Sequence, residues 1–160
     1  TGYLGNSSAG FDILKKSHDL EEKIIKYLSK SHLRPKPKVQ TGIELCDNGI
    51  KSAIDVSDGL LQDITRICKS SNVGAKIEAN KMPVHKYLKK AFPNNWLNYA
   101  MNGGEDYEIL FTGPSDLIQK ISQKSKTKIT IIGEITKSKK IEIINKTNQK
   151  ILEKKWEHFN

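Results

Sequence analysis

Two carboxylates and a hydroxyl are concentrated in one short stretch of this chain, between Asp55 and Gly59. Asp55 ends a run of small and apolar residues that predicts a strand, and Leu60 begins a helical pattern. The start of a helix leaves backbone N–H groups open to an anion, and carboxylate oxygens are ligands that Mg²⁺ prefers. The stretch therefore predicts a phosphate site with its Mg²⁺, in which Asp55 and Asp58 hold the metal and Ser57 contacts the phosphate.

Asp58 has a second interpretation, because aspartate is a favoured cap at the start of a helix. Spacing alone leaves capping and metal ligation both open. Asp55 favours ligation, since we expect it inside a buried strand, where a bare carboxylate is very costly and must be paired with a cation.

A second acidic turn covers residues 103–108, with the sequence GGEDYE ahead of an apolar strand. Two glycines and two acids often form a simple turn before a strand. The functional interpretation is that the glycines let the backbone approach a ligand, while Glu105 or Asp106 accepts hydrogen bonds from it.

The aromatic residues near the end of the chain, Trp156 and Phe159, also have two interpretations. They either cover the hydrophobic core or present a face to a cationic heteroaromatic ring. The chain has no glycine-rich phosphate loop ending in Lys-Ser or Lys-Thr, which excludes a P-loop kinase.

The cysteines and histidines predict little chemistry. Cys46 and Cys68 fall on apolar helix positions, so we expect buried, reduced thiols. His85 and His158 have no partner at the spacing of zinc ligands, and we expect both at the surface.

Strand and helix patterns alternate along the chain, which predicts an α/β (α+β) fold with a layered mixed sheet and flanking helices. The residues at 34–37, RPKP, break a helix and form the best candidate linker. The predicted helices begin near residues 7, 19, 39, 60, 83, 96 and 114, and the predicted strands cover 52–56, 75–79, 107–112 and 128–135, with a terminal hairpin of 141–144 and 150–152.

The bulk composition excludes several function classes. Of the 160 residues, 36% are hydrophobic and 28% are charged, as is typical of a soluble globular protein. No apolar run is long enough to span a bilayer and no signal peptide is visible, so we expect a cytoplasmic protein without membrane contact. The net charge of +9 comes from lysines spread in short pairs over different elements, which favours a solvated surface over a nucleic-acid patch.

Several motifs, in order along nearly the whole chain, resemble the C-terminal half of thiamine-monophosphate kinase. That family belongs to a superfamily with aminoimidazole ribonucleotide synthetase and selenophosphate synthetase, and the GGEDYE turn separates it from those relatives. The resemblance implies a fold like the C-terminal domain of aminoimidazole ribonucleotide synthetase. The motifs lie at residues 1–5 (TGYLG), 34–37 (RPKP), 55–60 (DVSDGL), 71–75 (SNVGA), 82–83 (MP), 103–108 (GGEDYE) and 132–135 (IGEI).

The resemblance implies an enzyme that uses ATP to phosphorylate thiamine monophosphate to thiamine diphosphate. Transfer would be direct and in line, with several Mg²⁺ ions and no catalytic nucleophile from the protein. The implied metal ligands are Asp55 and Asp58, and Ser57 would contact ATP. Glu105 and Trp156 would contact the thiamine monophosphate.

The resemblance also implies an organisation of the chain. Residues 1–37 would be the tail of a missing N-terminal domain plus a linker, and residues 38–160 the C-terminal domain that binds ATP and substrate. The N-terminal domain would supply further metal ligands and a homodimer interface, so we expect this chain to be inactive alone. The alternatives are a non-catalytic basic binding module and a sister ATP-dependent enzyme with another acceptor.

Overall fold

The computed structural model describes residues 1–147 and residue 151 of the chain. The helices in this part are α1 (Asn6–Lys15), α2 (Glu22–Leu33), α3 (Val39–Asp47), α4 (Leu60–Ser71), α5 (Lys86–Ala91), α6 (Trp96–Asn102) and α7 (Ser115–Lys124), with a 3₁₀ turn at Ala79–Lys81. The strands are β1 (Ser52–Asp55), β2 (Gly74–Glu78), β3 (Ile109–Thr112), β4 (Gly133–Thr136) and β5 (Ile141–Ile144).

The strands form two small sheets instead of one. β1 pairs with β3 in antiparallel fashion, and the second sheet has the order β4-β2-β5. In that sheet β2 runs antiparallel to β4 and parallel to β5, so the sheet is mixed. The mixed α/β class predicted from the sequence is confirmed.

The first strand of the predicted terminal hairpin is present as β5, and its pairing with residues 150–152 stays a prediction. β5 adds to β2 in parallel, with Ile141 opposite Ala75, so it is not joined to a hairpin partner within the described residues. The expected second half of the hairpin, at Lys150 and Leu152, lies outside the described residues. The predicted strand at 128–135 begins only at Gly133, although the carbonyl of Ile132 still accepts a hydrogen bond from the amide of Glu78.

The largest core forms where α4 packs on β2. Leu60, Ile64 and Ile67 recur at helical spacing on one face of α4, and all three are buried with Ile77 of β2. Each such side chain contributes about 2 kcal/mol by leaving water. This packing fixes the start of α4, directly after the first acidic segment.

Helices α1 and α2 form a close pair that packs on α5 and α6. A Cβ on Gly10 of α1 would lie 2.1 Å from the carbonyl oxygen of Leu28, so only glycine permits this approach. Ile13 and Ile24 join Leu28 and Leu88 in a second apolar cluster. The domain boundary at residue 37 stays a prediction, and the pair α1–α2 is packed on the rest of the chain.

An apolar cavity of about 470 Å³ lies between the two sheets. Its walls include aliphatic side chains from both sheets, among them Ile77 and Leu110, and from α4. The carboxylates of Asp55, Asp58 and Glu105 do not line it. Val56 does line it, so the cavity adjoins the first acidic segment without including the carboxylates of that segment.

The exposure of three side chains tests the minor expectations. Cys68 is buried as predicted, whereas Cys46 is exposed because it lies on the outer side of α3. His85 was expected at the surface, but it is half-buried and its ring stacks on Tyr27 at 4.2 Å between centroids. His158 lies outside the described residues.

The charged surface of the described residues is scattered. The lysine pairs at 15–16, 89–90 and 139–140 are all exposed and lie on different elements. Across residues 1–147, none of the helices has both the length and the apolar character needed to cross a bilayer.

Candidate functional site

The two acidic segments lie side by side, joined by their backbones. The antiparallel pairing of β1 with β3 continues past Asp55, because the Val56 amide donates to the Glu108 carbonyl at 2.8 Å and the Tyr107 amide donates to the Val56 carbonyl at 3.0 Å. The Glu105 amide then donates to the carbonyl of Ser57 at 2.8 Å. The loop before α4 and the turn before β3 therefore form one continuous surface.

Two glycines permit close backbone approaches here, Gly104 to the other loop and Gly59 to the end of α6. A Cβ on Gly104 would lie 2.5 Å from the carbonyl oxygen of Ser57. Gly59 has a φ of +113°, and its Cβ would lie 2.8 Å from the carbonyl oxygen of Asn102. The sequence suggested that glycines 103 and 104 let the backbone approach a ligand; in the structure Gly104 approaches the other loop.

Asp55 is exposed, which corrects the expectation of a buried carboxylate. The β1–β3 sheet has two strands in the described residues, and alternation along β1 puts Ala53 and Asp55 on its open face. The burial argument for ligation therefore fails. An exposed carboxylate at the carboxyl end of β1 is nevertheless accessible to a hydrated cation.

Asp58 is held by two residues that the sequence analysis missed. Its carboxylate pairs with the guanidinium of Arg66, and 22% of its side chain is exposed. Asp63 accepts a hydrogen bond from the Asp58 amide at 3.2 Å and another from Arg66 Nη1 at 2.8 Å. Burial raises the pKa of the Asp63 carboxyl above its ordinary value, against these hydrogen bonds.

The sequence does contain a pattern that indicates a buried position for Asp63. Asp63 lies on the same face of α4 as Leu60, Ile64 and Ile67, so an acid interrupts an otherwise apolar stripe. The position before the helix is occupied by Gly59, which itself offers no side-chain cap.

Glu105 projects from the second segment in a left-handed backbone conformation, with a φ of +63°. Its side chain is 58% exposed, and its Oε2 lies 3.4 Å from Nδ1 of His32, in the last turn of α2. The hydroxyl of Ser7 is hydrogen-bonded to the same His32 nitrogen at 3.0 Å. The exposed carboxylate is thus oriented toward solvent beside the end of α2.

Asp106 has a structural role that spacing did not reveal. Its carboxylate accepts hydrogen bonds from the amides of Gly5 at 2.6 Å and Ser7 at 3.0 Å, at the start of α1. Gly5, before α1, takes a left-handed conformation and caps no amide with a side chain, so Asp106 satisfies the amides from a distant loop. Burial raises the pKa of Asp106 to about 7, although the two amides oppose the shift.

The residues present fit part of a Mg²⁺ shell. Asp55 and Asp58 supply carboxylate oxygens at the start of α4, and phosphate oxygens and water complete such shells in nucleotide sites. Among residues 1–147, no group of three or more His, Cys, Asp or Glu side chains is arranged to hold a metal. Trp156, the predicted aromatic contact to the substrate, lies outside the described residues.

Residues 1–146 match the family described as AIR synthase related protein, C-terminal domain. The chain belongs to this family. The match begins at Thr1, so it includes α1 and α2 together with both acidic segments.

Within the family, the chain is similar to proteins named thiamine-monophosphate kinase. It is 42% identical to that of Buchnera aphidicola subsp. Schizaphis graminum over 99% of the chain, and 34% identical to that of Bacillus subtilis strain 168 over 99%. The solved structure of AaThiL complexed with AMPPCP and TMP superposes with a TM-score of 0.82 at 29% identity, covering 99% of the chain and 50% of that protein. The chain spans 51% of each of the two curated relatives.

Proposed function

We propose that this chain is the C-terminal part of an enzyme that transfers the γ-phosphoryl group of ATP to thiamine monophosphate, giving thiamine diphosphate. The observation that carries the proposal is the hydrogen bond from the Glu105 amide to the Ser57 carbonyl at 2.8 Å, which brings the two acidic segments together. The names of the relatives and the AMPPCP and TMP in the AaThiL structure support ATP and thiamine monophosphate as the two substrates.

The first acidic segment binds the nucleotide phosphates in this proposal. The amino end of α4 carries partial positive charge and favours an anion beside Ser57. Asp55 and Asp58 hold Mg²⁺, which offsets the negative charge of the phosphates when it is bound. The exposure of Asp55 suits a cation that keeps several of its waters.

The second acidic segment binds the acceptor. Glu105 is the exposed carboxylate of that turn, and its position beside Ser57 brings an acceptor phosphate close to the nucleotide. The transfer needs no protein nucleophile, since orientation of two phosphates accounts for most of the catalysis in such reactions. Trp156 would lie against the cationic ring of thiamine.

The chain contributes part of this site. Because it spans about half the length of its relatives, we propose that the other half supplies further metal ligands and the homodimer interface. The chain alone is then inactive, and the full-length enzyme works in the cytoplasm on two small-molecule substrates.

The proposal is tested by measuring the binding of AMPPCP to the chain by calorimetry, with and without Mg²⁺. We expect binding that depends on Mg²⁺ and that Asp58→Asn weakens roughly tenfold, because one metal ligand is lost. Asp116→Asn is the matched control, since Asp116 is an exposed acid in the first turn of α7. Thermal unfolding of both variants shows whether the fold is kept.

Two other results would contradict the proposal. Binding of polyanions that weakens steeply with salt and ignores Asp58→Asn indicates a basic binding module. In an ADP-release assay with Mg-ATP and thiamine monophosphate, we expect activity in a longer protein that contains this chain and none in the chain alone. A longer protein without activity would also contradict the proposal.

A further inference from the structure

Asp63 is a fully buried carboxylate in the apolar core of the chain. Its side chain is 0% exposed, on the face of α4 that carries Leu60 and Ile64. Burying a carboxylate among aliphatic side chains is costly unless each of its oxygens has a partner. Both oxygens of Asp63 have a partner. One partner is the amide of Asp58, and the other is Arg66, which itself pairs with the Asp58 carboxylate.

The contacts of Asp63 form a closed ring. One oxygen accepts the Asp58 amide at 3.2 Å, and the other accepts Nη1 of Arg66 at 2.8 Å. The second terminal nitrogen of Arg66 bonds Oδ2 of the Asp58 carboxylate. Asp63 thus holds the backbone of Asp58 directly and its carboxylate through Arg66.

We propose that Asp63 and Arg66 are positioning residues that hold the Asp58 carboxylate in its orientation for Mg²⁺-dependent nucleotide binding. This inference rests on the proposed function, because Asp58 must be a metal ligand for its orientation to matter. Groups that orient a metal ligand typically change metal affinity by 10- to 100-fold when they are removed.

Arg66 could instead compete with Mg²⁺ for the Asp58 carboxylate, and this role predicts a different result. If the guanidinium only competes with Mg²⁺ for Asp58, its removal tightens metal-dependent binding. If it positions Asp58, its removal weakens that binding, because the carboxylate then samples many orientations. The sign of the change separates the two roles.

The experiment measures AMPPCP binding to the full chain, with and without Mg²⁺, for Arg66→Gln and Asp63→Asn. For both variants we expect Mg²⁺-dependent binding to weaken roughly tenfold and Mg²⁺-free binding to stay unchanged. In Asp63→Asn, an amide donor replaces one of two acceptor oxygens, so it faces either the Asp58 amide or Arg66. Asp63→Glu keeps both acceptors and should recover part of the affinity.

Lys81→Gln is the matched control for Arg66→Gln. It removes the cation of another i,i+3 pair, Lys81 with Glu78 at 2.7 Å, which lies outside the acidic segments. Its binding should equal that of the wild-type chain. If Asp63→Asn fails to fold, Arg66→Gln decides, because 42% of the Arg66 side chain is exposed and the substitution removes no apolar side chain; thermal unfolding shows whether the fold is kept.

Three results would overturn the inference. Unchanged or tighter Mg²⁺-dependent binding in Arg66→Gln rejects the positioning role and leaves the proposed function standing. A loss of Mg²⁺-free binding equal to the Mg²⁺-dependent loss points to general damage and also rejects it. If the wild-type chain does not bind AMPPCP with Mg²⁺, the proposed nucleotide role of this chain fails and the inference fails with it.

Discussion

The loop before α4 and the turn before β3 contain similar residues, and the structure divides their acids in the same way. At each segment a partly or fully buried aspartate accepts backbone amides: Asp63 takes that of Asp58, and Asp106 takes those of Gly5 and Ser7. At each segment another acid, Asp55 or Glu105, is exposed.

The difference between the segments lies in the charge that accompanies the buried acid. Asp63 has a guanidinium beside it, whereas backbone amides are the first partners of Asp106 and no cation is among the causes of its shifted pKa. The comparison shows that each acidic segment combines an exposed acid with a buried acid, within it or next to it, that holds backbone amides. Burial and hydrogen-bond partners, which composition does not reveal, decide which acid holds the backbone and which is exposed.

The largest expected effect is on the glycine that precedes α4. Gly59→Ala places a Cβ 2.8 Å from the Asn102 carbonyl oxygen in a left-handed conformation, so we expect a loss of about 3 kcal/mol in the free energy of unfolding. Gly49→Ala is the control, because Gly49 has a φ of +86° with nothing within 4 Å of its Cβ. It should lose about 1 kcal/mol. Equal losses in urea unfolding would show that the close approach of Gly59 to Asn102 contributes little.

A smaller effect is expected at the buried acid of the second segment. Asp106→Ala leaves the amides of Gly5 and Ser7 without their acceptor, which should cost about 2 kcal/mol of unfolding free energy at neutral pH. Asp116→Ala, on an exposed acid in the first turn of α7, should cost about 0.5 kcal/mol. If the two variants lose the same amount, Asp106 is not the cap of α1.

The pH dependence of the same variant sharpens the comparison. The pKa of Asp106 rises from 3.8 to about 7 on folding, so between these values the folded chain binds a proton that the unfolded chain releases. The proton-linked part of the Asp106 contribution is then fully present below pH 3.8 and is lost as the pH rises through about 7. The difference in unfolding free energy between wild type and Asp106→Ala should therefore grow on acidification across this range. A constant difference would contradict the raised pKa.

The smallest effect on stability is expected at the exposed acid. Glu105→Gln keeps the backbone and the side-chain shape, so the unfolding free energy should change by less than about 0.5 kcal/mol. Thiamine monophosphate binding should weaken roughly tenfold, because a charged hydrogen-bond acceptor is lost. Glu134→Gln is the control, because it removes the carboxylate of a surface ion pair, Glu134 with Lys76 at 3.9 Å. Weaker binding in both variants would remove Glu105 from the acceptor site.

Local periodicity was sufficient to predict the elements around the site. The strand ending at Asp55 and the helix beginning at Leu60 are where alternation and helical spacing indicated. The same spacing contains the information that Asp63 is buried. These features depend on residues within about one turn or one strand of each other.

The rest depends on contacts between distant parts of the chain. Asp106 and Gly5 are separated by 101 residues, and neither residue type indicates the other. Asp55 was expected to be buried because the sequence does not show that β1 and β3 form a sheet of their own with an open face. Each of these required the packing of elements, which single-sequence patterns do not encode.

The hydrogen bonds between the two loops are made by peptide groups, which every residue except proline can provide at both ends. Over evolutionary time, the side chain at position 57 can be exchanged without altering the spacing of the loops. Positions 105 and 107 have φ values of +63° and +50°, which limits them to residues that tolerate a left-handed backbone. In the proposed function, a change at the exposed position 105 alters the choice of acceptor while the loop before α4 keeps its place. Gly59 and Gly104 are further exceptions, and they set a limit within which this surface is free to diverge.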